Sequence, residues 1–321
     1  MTHEGSASGE RARQGAEPSD ESEPSSEQAR WGQAAVGESR GTLQGTQPTL
    51  HESSKEYKFV QELLRVEAGI VLDAQKHYLI ETRMAALARA EALTVSGLFE
   101  KAFAGQQGIR RKIVEAMTTN ETSFFRDPAI FRSLIYDVLA HLLRAVERDF
   151  VQVWCGACST GQEPYSFAMG ARQRFGVQAE RVRIVATDLD TDALERAKSG
   201  LYSQLEVNRG LPASNLVRFF EKKDYRWQVK DEVRSMVEFR SVNLVRPFTD
   251  LGTFDLILLR NVLIYFDAET KEDVLHRAVR LLSPEGLLVL GSTESLLGHQ
   301  VPVEPRQFGR CTVHGLRKSG R

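Results

Sequence analysis

The chain has 321 residues, enough for about two domains, with a formal net charge of -1 and 26% charged residues. A balance of that kind gives no global field to recruit nucleic acid or a membrane surface, and no apolar run approaches the roughly 20 residues that span a bilayer. The amino terminus lacks the apolar stretch of a signal peptide, and three cysteines do not make a disulfide framework, so a reducing cytoplasm is the expected compartment.

Residues 1–54 are rich in Ser, Glu, Gly and Gln, with isolated apolar residues such as Trp31, Val36 and Leu43. Such a segment buries too little surface to offset its ordering entropy and reads as a disordered tail, with a partner-binding tail as the alternative. From Lys55 the pattern turns helical. Phe59, Leu63 and Val66 fall at i, i+4 and i+7, as do Ile80, Met84 and Leu87. Gly69 and Asp73 punctuate between these helices. Leu98, Ala102 and Phe103 predict a third helix, Ile113 and Met117 a fourth, and a further helix runs over 128–146. Nothing alternates like a strand before about residue 150. The expected division is a helical domain with its linker over 55–135 and a second domain over 136–321.

The second domain alternates strands with helices. Val151-Gln-Val-Trp is a strand leading into a small-residue loop, and 164–175 reads as a helix. Val182-Arg-Ile-Val-Ala is a strand ending at Asp188, followed by a helix over 191–199 that Gly200 closes. Val237-Glu-Phe-Arg is a strand before Asn243. The apolar run Phe254-Asp-Leu-Ile-Leu-Leu predicts a central strand, and a helix over 271–282 precedes Ser283-Pro284-Glu285-Gly286. Leu287-Leu-Val-Leu and Cys311-Thr-Val-His complete the strands. This rhythm predicts an α/β fold with a parallel-dominated sheet covered on both faces. One stretch, about 212–237, breaks it. A short helix (Leu216, Phe219, Phe220) and strands at 225–229 and 233–237, turning at Lys230-Asp231-Glu232, predict an inserted helix-plus-hairpin subdomain. The alternative is an elongated surface loop.

Ligands of open α/β sheets sit outside the carboxyl ends of the strands. The first such end is Cys155-Gly-Ala-Cys-Ser-Thr-Gly-Gln-Glu-Pro, where small residues let backbone approach a ligand. It matches neither phosphate-binding glycine motif, because no Lys follows Gly161 and the glycine spacing differs. The second end carries Asp188, placed to accept hydrogen bonds from both hydroxyls of a ribose. Capping of the next helix is the alternative, although Asp190 and Thr191 lie nearer its start. A small-residue loop plus this acid, without a phosphate motif, suits a nucleoside-type ligand such as S-adenosylmethionine. Cys155 and Cys158 form C-x-x-C, but no second pair or nearby His supports metal or redox chemistry, and they read as small loop residues. The seven histidines show no ligand spacing, and no metal is expected.

Met117-Thr-Thr-Asn-Glu-Thr-Ser-Phe-Phe-Arg126 resembles the signature of the chemoreceptor methyltransferases, the CheR family. So do Ser159-Thr-Gly-Gln-Glu-Pro-Tyr-Ser166, Ala186-Thr-Asp-Leu-Asp-Thr191, Val242-Asn-Leu244 and Arg260-Asn-Val-Leu-Ile-Tyr-Phe266, in family order and spanning about residues 57–315. The resemblance implies a doubly wound, Rossmann-like methyltransferase sheet with a small all-helical N-terminal domain and an inserted antiparallel β-subdomain. It implies cofactor contacts from Asn120, Thr122, Arg126, Glu163, Asp188, Asn243, Leu244, Arg260 and Asn261. It places Tyr265 facing the reacting methyl group, with Arg126 as the second catalytic candidate, orienting either the incoming carboxylate or the cofactor's own. Read singly, these residues keep ordinary alternatives: a surface ion pair for Arg126, a turn residue for Asn261, a helix cap for Glu163 and a core aromatic for Tyr265.

The activity implied is transfer of a methyl group from S-adenosylmethionine to glutamate side chains in the cytoplasmic domain of chemoreceptors, leaving S-adenosylhomocysteine. A free Glu has a pKa of about 4.3, so no general base is required and none is found. The chain departs from the family in two places. Gln162-Glu163 replaces a Glu-Glu pair but keeps its second member. The second helix, typically studded with Arg, here reads Arg83-Met-Ala-Ala-Leu-Ala-Arg89, leaving Lys76 and the run Arg110-Arg111-Lys112 as possible substitutes. Some family members tether to the receptor's C-terminal pentapeptide through a glycine-containing hairpin loop. No glycine occurs over 221–234, so the tether is not expected, and the enzyme is expected to act as a monomer. A methyltransferase with another acceptor and a catalytically silent cofactor-binding scaffold are the competing functions.

Overall fold

In the computed structural model, residues 54–72 and 77–317 are described. The tail expected over 1–54 therefore lies, Ser54 apart, outside the described residues, as do Asp73 and Lys76. Four helices come first: α1 (Lys55–Ala68), α2 (His77–Ala90), α3 (Val95–Phe103) and α4 (Gln107–Met117). Ser54 starts α1 by accepting the Tyr57 amide, and Gly69 ends it in a left-handed conformation. Tyr57, Val60, Leu64, Ile80, Met84, Leu98, Ile113 and Met117 form one apolar cluster. The buried face of α1 is thus Tyr57, Val60 and Leu64. Val66, expected on that face, is 48% exposed. The spacing starting from Phe59 selects a stripe next to the true one, which also includes Leu63.

The helix after the linker begins as α5 (Pro128–Ser133), widens into a π-turn (Leu134–Leu139) and continues as α6 (Ala140–Ala145). Its buried side chains pack against the sheet, beginning with Phe131 and Leu134. The chain then alternates β1 (Val151–Gly156), α7 (Gln162–Phe175), β2 (Val182–Asp188) and α8 (Thr191–Ser199). Next come β3 (Leu201–Ser203), α9 (Gln204–Asn208), α10 (Ala213–Phe219), β4 (Phe220–Lys223), β5 (Arg226–Val229) and α11 (Asp231–Arg234). The remainder is β6 (Val237–Ser241), β7 (Phe254–Leu259), α12 (Ala268–Arg280), β8 (Leu282–Leu290), β9 (Val303–Phe308) and β10 (Cys311–Leu316).

The main sheet has the order β6-β2-β1-β7-β8-β10-β9. Its first five strands are parallel, and β10 and β9 join antiparallel. The expected central strand β7 is the middle one, and all its residues are buried. Side chains alternate between two cores, Leu256 and Leu258 on one face and Ile257 and Leu259 on the other, as a covered parallel sheet requires. No helix among the described residues is long and apolar enough to cross a membrane.

Around the insertion the structure corrects the sequence reading. The small sheet is β3-β5-β4, and its hairpin turns at Asp224-Tyr225. The expected strand at 233–237 and turn at 230–232 do not form. Lys230 is extended, and Asp231 and Glu232 open α11, where acidic residues suit the helix N-terminus. Val233 is fully buried beneath it. Strand β9 escapes the sequence pattern because Pro305 interrupts it. Proline is tolerated there since β9 is an edge strand, paired only with β10.

Candidate active site

The carboxyl ends of β1, β2 and β7, the segment after β6 and the linker after α4 converge on a cavity of about 1010 Å3, its open mouth included. Asn120, Thr122, Arg126, Glu163, Asp188, Asn243, Leu244, Arg260, Asn261 and Tyr265 all line it. The end of α1 adds Ala68 and Ile70, which sequence reasoning did not place there.

Asp188 ends β2 and is 7% exposed. Its Oδ2 accepts the Ser159 amide at 2.7 Å and its Oδ1 the Asp190 amide at 2.9 Å. An ionised carboxylate has about four acceptor sites, so Asp188 keeps acceptor capacity beyond these two bonds. The capping alternative falls away, because Asp190 caps α8 by accepting the amides of Asp192 and Ala193. Burial raises the Asp188 pKa above its ordinary value, against the pull of those backbone donors.

Glu163 lies in the first turn of α7, after Gly161 at φ 90. A Cβ at Gly161 would lie 2.9 Å from that of Ala197, so both conformation and space demand glycine. Glu163 does not cap the helix; its Oε1 meets the Arg260 guanidinium at 2.5 Å. Arg260, its side chain 1% exposed, also donates to Asp127 at 2.7 Å and to the Arg126 carbonyl at 3.2 Å. Burial pushes the Glu163 carboxyl up, and Arg260 and Arg126 pull it back only in part. Burial also works against the charge on Arg260, but Glu163 and Asp127 outweigh it and hold its pKa above the ordinary value. This ion network fixes the linker against the sheet.

Backbone strain concentrates here. Ala157, Ser159 and Asn261 have φ of 56, 51 and 62, and Phe125 and Asp127, flanking Arg126, have 48 and 57. Non-glycine residues in that region store strain of the kind found at ligand sites. Asn243 ties α1 to the cavity, donating to the Glu67 carbonyl at 2.6 Å while its Oδ1 accepts the Val245 amide at 3.1 Å. Arg126 donates to the Glu121 carbonyl at 3.3 Å. Leu244 is buried, and Thr122 and Tyr265 are half-buried. Cys155 and Cys158 are free and buried, and burial pushes both thiols well above their ordinary values. They are packed loop residues.

Four basic residues of the helical domain have partners within it or in the linker. Arg83 donates to the carbonyls of Thr118 at 2.8 Å and Ala116 at 3.4 Å, closing α4 and steadying the linker. Arg110 reaches the Ala102 carbonyl and lies over the Phe59 ring. Arg111 pairs with Glu115 and Lys112 with Glu91. Two further acids escaped the sequence reading. Asp127 completes the Arg260 pair, and Glu294, after β8, receives the backbone of Asn261, Val262 and Leu263. The Gly291-Ser-Thr-Glu294 loop also follows a strand's carboxyl end, and that position was the available signal.

A Rossmann-like sheet whose strand ends open on a cavity, with an acid at the end of its second strand, is the arrangement of a nucleoside-cofactor enzyme. Residues 120–309 match the family model described as CheR methyltransferase, SAM binding domain, and the chain belongs to that family. It is an S-adenosylmethionine-dependent methyltransferase. It is 40% identical over 250 residues to chemotaxis protein methyltransferase 1 of Pseudomonas aeruginosa, covering 76% of this chain and 91% of that protein. It is 34% identical to the chemotaxis protein methyltransferase of Escherichia coli, covering 76% and 85%.

The residues present fit that cofactor. The Asp188 carboxylate on the cavity wall suits a ribose, and Glu163 keeps one oxygen outside its Arg260 bond. Apolar side chains such as Leu244 and Ile70 form walls suited to a purine.

Proposed function

We propose that the protein methylates glutamate side chains in the cytoplasmic domains of chemoreceptors, serving adaptation in chemosensory signalling, and that it acts as a cytoplasmic monomer. The observation that carries this reading is the 40% identity, over 76% of the chain, to a protein named for methyl transfer in chemotaxis.

The cavity chemistry agrees. Among its described lining residues there is no histidine or lysine. A carboxylate acceptor needs no base, because a free Glu with a pKa of about 4.3 is ionised at neutral pH. When bound, S-adenosylmethionine would supply an electrophilic methyl carbon on a positively charged sulfur, which would be the leaving group for attack by the acceptor oxygen. No proton moves. Asp188 and Glu163 hold the cofactor, Arg126 orients a carboxylate at the mouth, and Tyr265 borders the path of attack. Such alignment can lower the barrier by roughly 7–11 kcal/mol.

Incubation with labelled S-adenosylmethionine and receptor-containing membranes tests this reading. Alkali-labile methyl incorporation on receptor Glu is the expected result. Transfer to an unrelated acceptor, or cofactor binding without transfer, would refute it.

A further inference from the structure

Glu294 lies in the loop after β8, behind the cavity wall and outside its lining. Its carboxylate accepts four backbone hydrogen bonds. Oε2 takes the amides of Asn261 and Gly291, each at 2.7 Å, and Oε1 takes those of Val262 at 2.9 Å and Leu263 at 2.7 Å. Two donors on each oxygen fill the acceptor sites of an ionised carboxylate. Asn261, Val262 and Leu263 offer successive amides from the turn leaving β7, a concave array that a fixed negative charge satisfies.

That turn needs holding. Asn261 sits at φ 62, and the chain passes directly into the 3-10 turn Leu263–Tyr265. Beyond it the Val71 amide donates to the Tyr265 carbonyl at 2.9 Å, and Ile70 bridges to Phe266. The turn is therefore anchored at one end by the strap after α1 and at the other by Glu294. Gly291 makes room for the second anchor. A Cβ there would lie 2.7 Å from Glu294 Oε2 and 2.9 Å from the Asn261 nitrogen. Gly291 is not among the glycines with positive φ, so close approach is what requires it.

We propose that Glu294 is a positioning residue of the methyl-transfer site, its carboxylate holding the backbone that presents Asn261 and Tyr265 to the cavity. The inference rests on reading the cavity as that site. Glu294 touches no reacting atom and acts through the turn.

Glu294→Gln tests it. The side chain keeps its size and one acceptor oxygen but turns an NH2 group toward two of the four amides. Gly291→Ala disturbs the same contact from the other side and leaves the charge in place. In folded preparations of both, S-adenosylhomocysteine binding should weaken about 10-fold, the order of one lost hydrogen bond. Single-turnover methylation at saturating cofactor should slow by about 100-fold, the order expected of a misplaced group. A loss of stability alone would lower the active fraction without slowing turnover in the folded molecules. Wild-type affinity and turnover in either folded variant would overturn the proposal. So would rapid exchange of the 261–263 amides in the folded wild-type protein, a measurement that needs no variant. Wild-type enzyme that binds the cofactor yet methylates no receptor refutes the receptor reading instead, and then cofactor affinity and amide exchange decide the role of Glu294.

Discussion

Asn120 donates its side-chain amide to the Asp190 carboxylate at 2.6 Å, across 70 positions of sequence. The Thr118 hydroxyl, which is 2.7 Å from the Glu115 carbonyl, lies 3.2 Å from the same oxygen, and the other oxygen caps α8. One acid thus fastens the linker of the helical domain to the turn that carries Asp188, and the Asp190 amide itself bonds to Asp188. The two carboxylates differ in place, Asp190 fastening the scaffold and Asp188 lining the cavity.

Asp190→Ala removes a helix cap and a charge-assisted bond to the linker. Together these contribute about 2–4 kcal/mol to stability. Chemical denaturation should show that loss, and calorimetry should show weaker S-adenosylhomocysteine binding as the linker loosens. Wild-type stability with intact binding would contradict the anchoring role.

Asp188→Ala should weaken S-adenosylhomocysteine binding roughly 10- to 150-fold, the equivalent of about 1.5–3 kcal/mol for hydrogen bonds to a charged group. The variant also leaves the Ser159 and Asp190 amides without their partner. Asp188→Asn, which keeps one acceptor oxygen, should therefore be the more stable of the two while still losing affinity. Calorimetric titration of both variants checks the placement, and unchanged affinity in either removes Asp188 from the ribose.

Much of this was legible in the sequence. The apolar run of β7 could only be an inner strand, and the motif residues reach one cavity because each follows a strand end or the linker. The rest was hidden for physical reasons. Strand β3 is too short to show alternation, and α11 looked like a hairpin turn because charged residues suit both. Glu294 receives backbone amides more than 30 positions away, and a backbone donor leaves no residue-type pattern to read. Asp127 meets Arg260 across 133 positions, and the αL conformation of Asp127 that permits it is equally silent.

Cofactor binding should be acid-sensitive. Burial raises the pKa values of both Asp188 and Glu163 above their ordinary values. Each therefore takes up its proton at a higher pH in the fold than in the unfolded chain. Their ionised forms disfavour folding at pH above the folded pKa, and that cost disappears as pH falls through it. Protonation consequently relieves the fold while it removes ligand acceptors. As pH falls through these raised pKa values, affinity for S-adenosylhomocysteine should decline while the far-UV circular dichroism spectrum persists. Affinity that stays flat, or that is lost only together with the spectrum, would refute this account.

Tyr265→Phe isolates the chemistry. The Val71 amide holds the Tyr265 backbone, so removing the hydroxyl should leave the turn in place. Cofactor affinity should remain near wild type, and turnover should fall if the hydroxyl acts mainly in the transition state. Wild-type single-turnover methylation by the variant would make Tyr265 a packing residue.

The small sheet bears on how the enzyme reaches its substrate. A peptide tether at a receptor's flexible C-terminus raises the local substrate concentration to roughly millimolar, and such peptides bind by adding a strand to a sheet edge. Here β5 is paired on both sides, leaving β3 and β4 as the available edges. Strand β3 has 3 residues and β4 has 4. Along β4, Glu221, Lys222 and Lys223 are exposed, and charged side chains on a short edge disfavour strand addition. The hairpin turns tightly at Asp224-Tyr225, with Asp224 at φ 51, and contains no glycine. We therefore expect no pentapeptide binding and a direct encounter between receptor and the helical domain. Titration with the C-terminal pentapeptide of a tether-bearing receptor should show no saturation up to millimolar peptide. Saturable low-micromolar binding, abolished when the aromatic residues of the peptide are replaced by Ala, would prove the expectation wrong and would assign the β4 edge or the Asp224 turn a docking role.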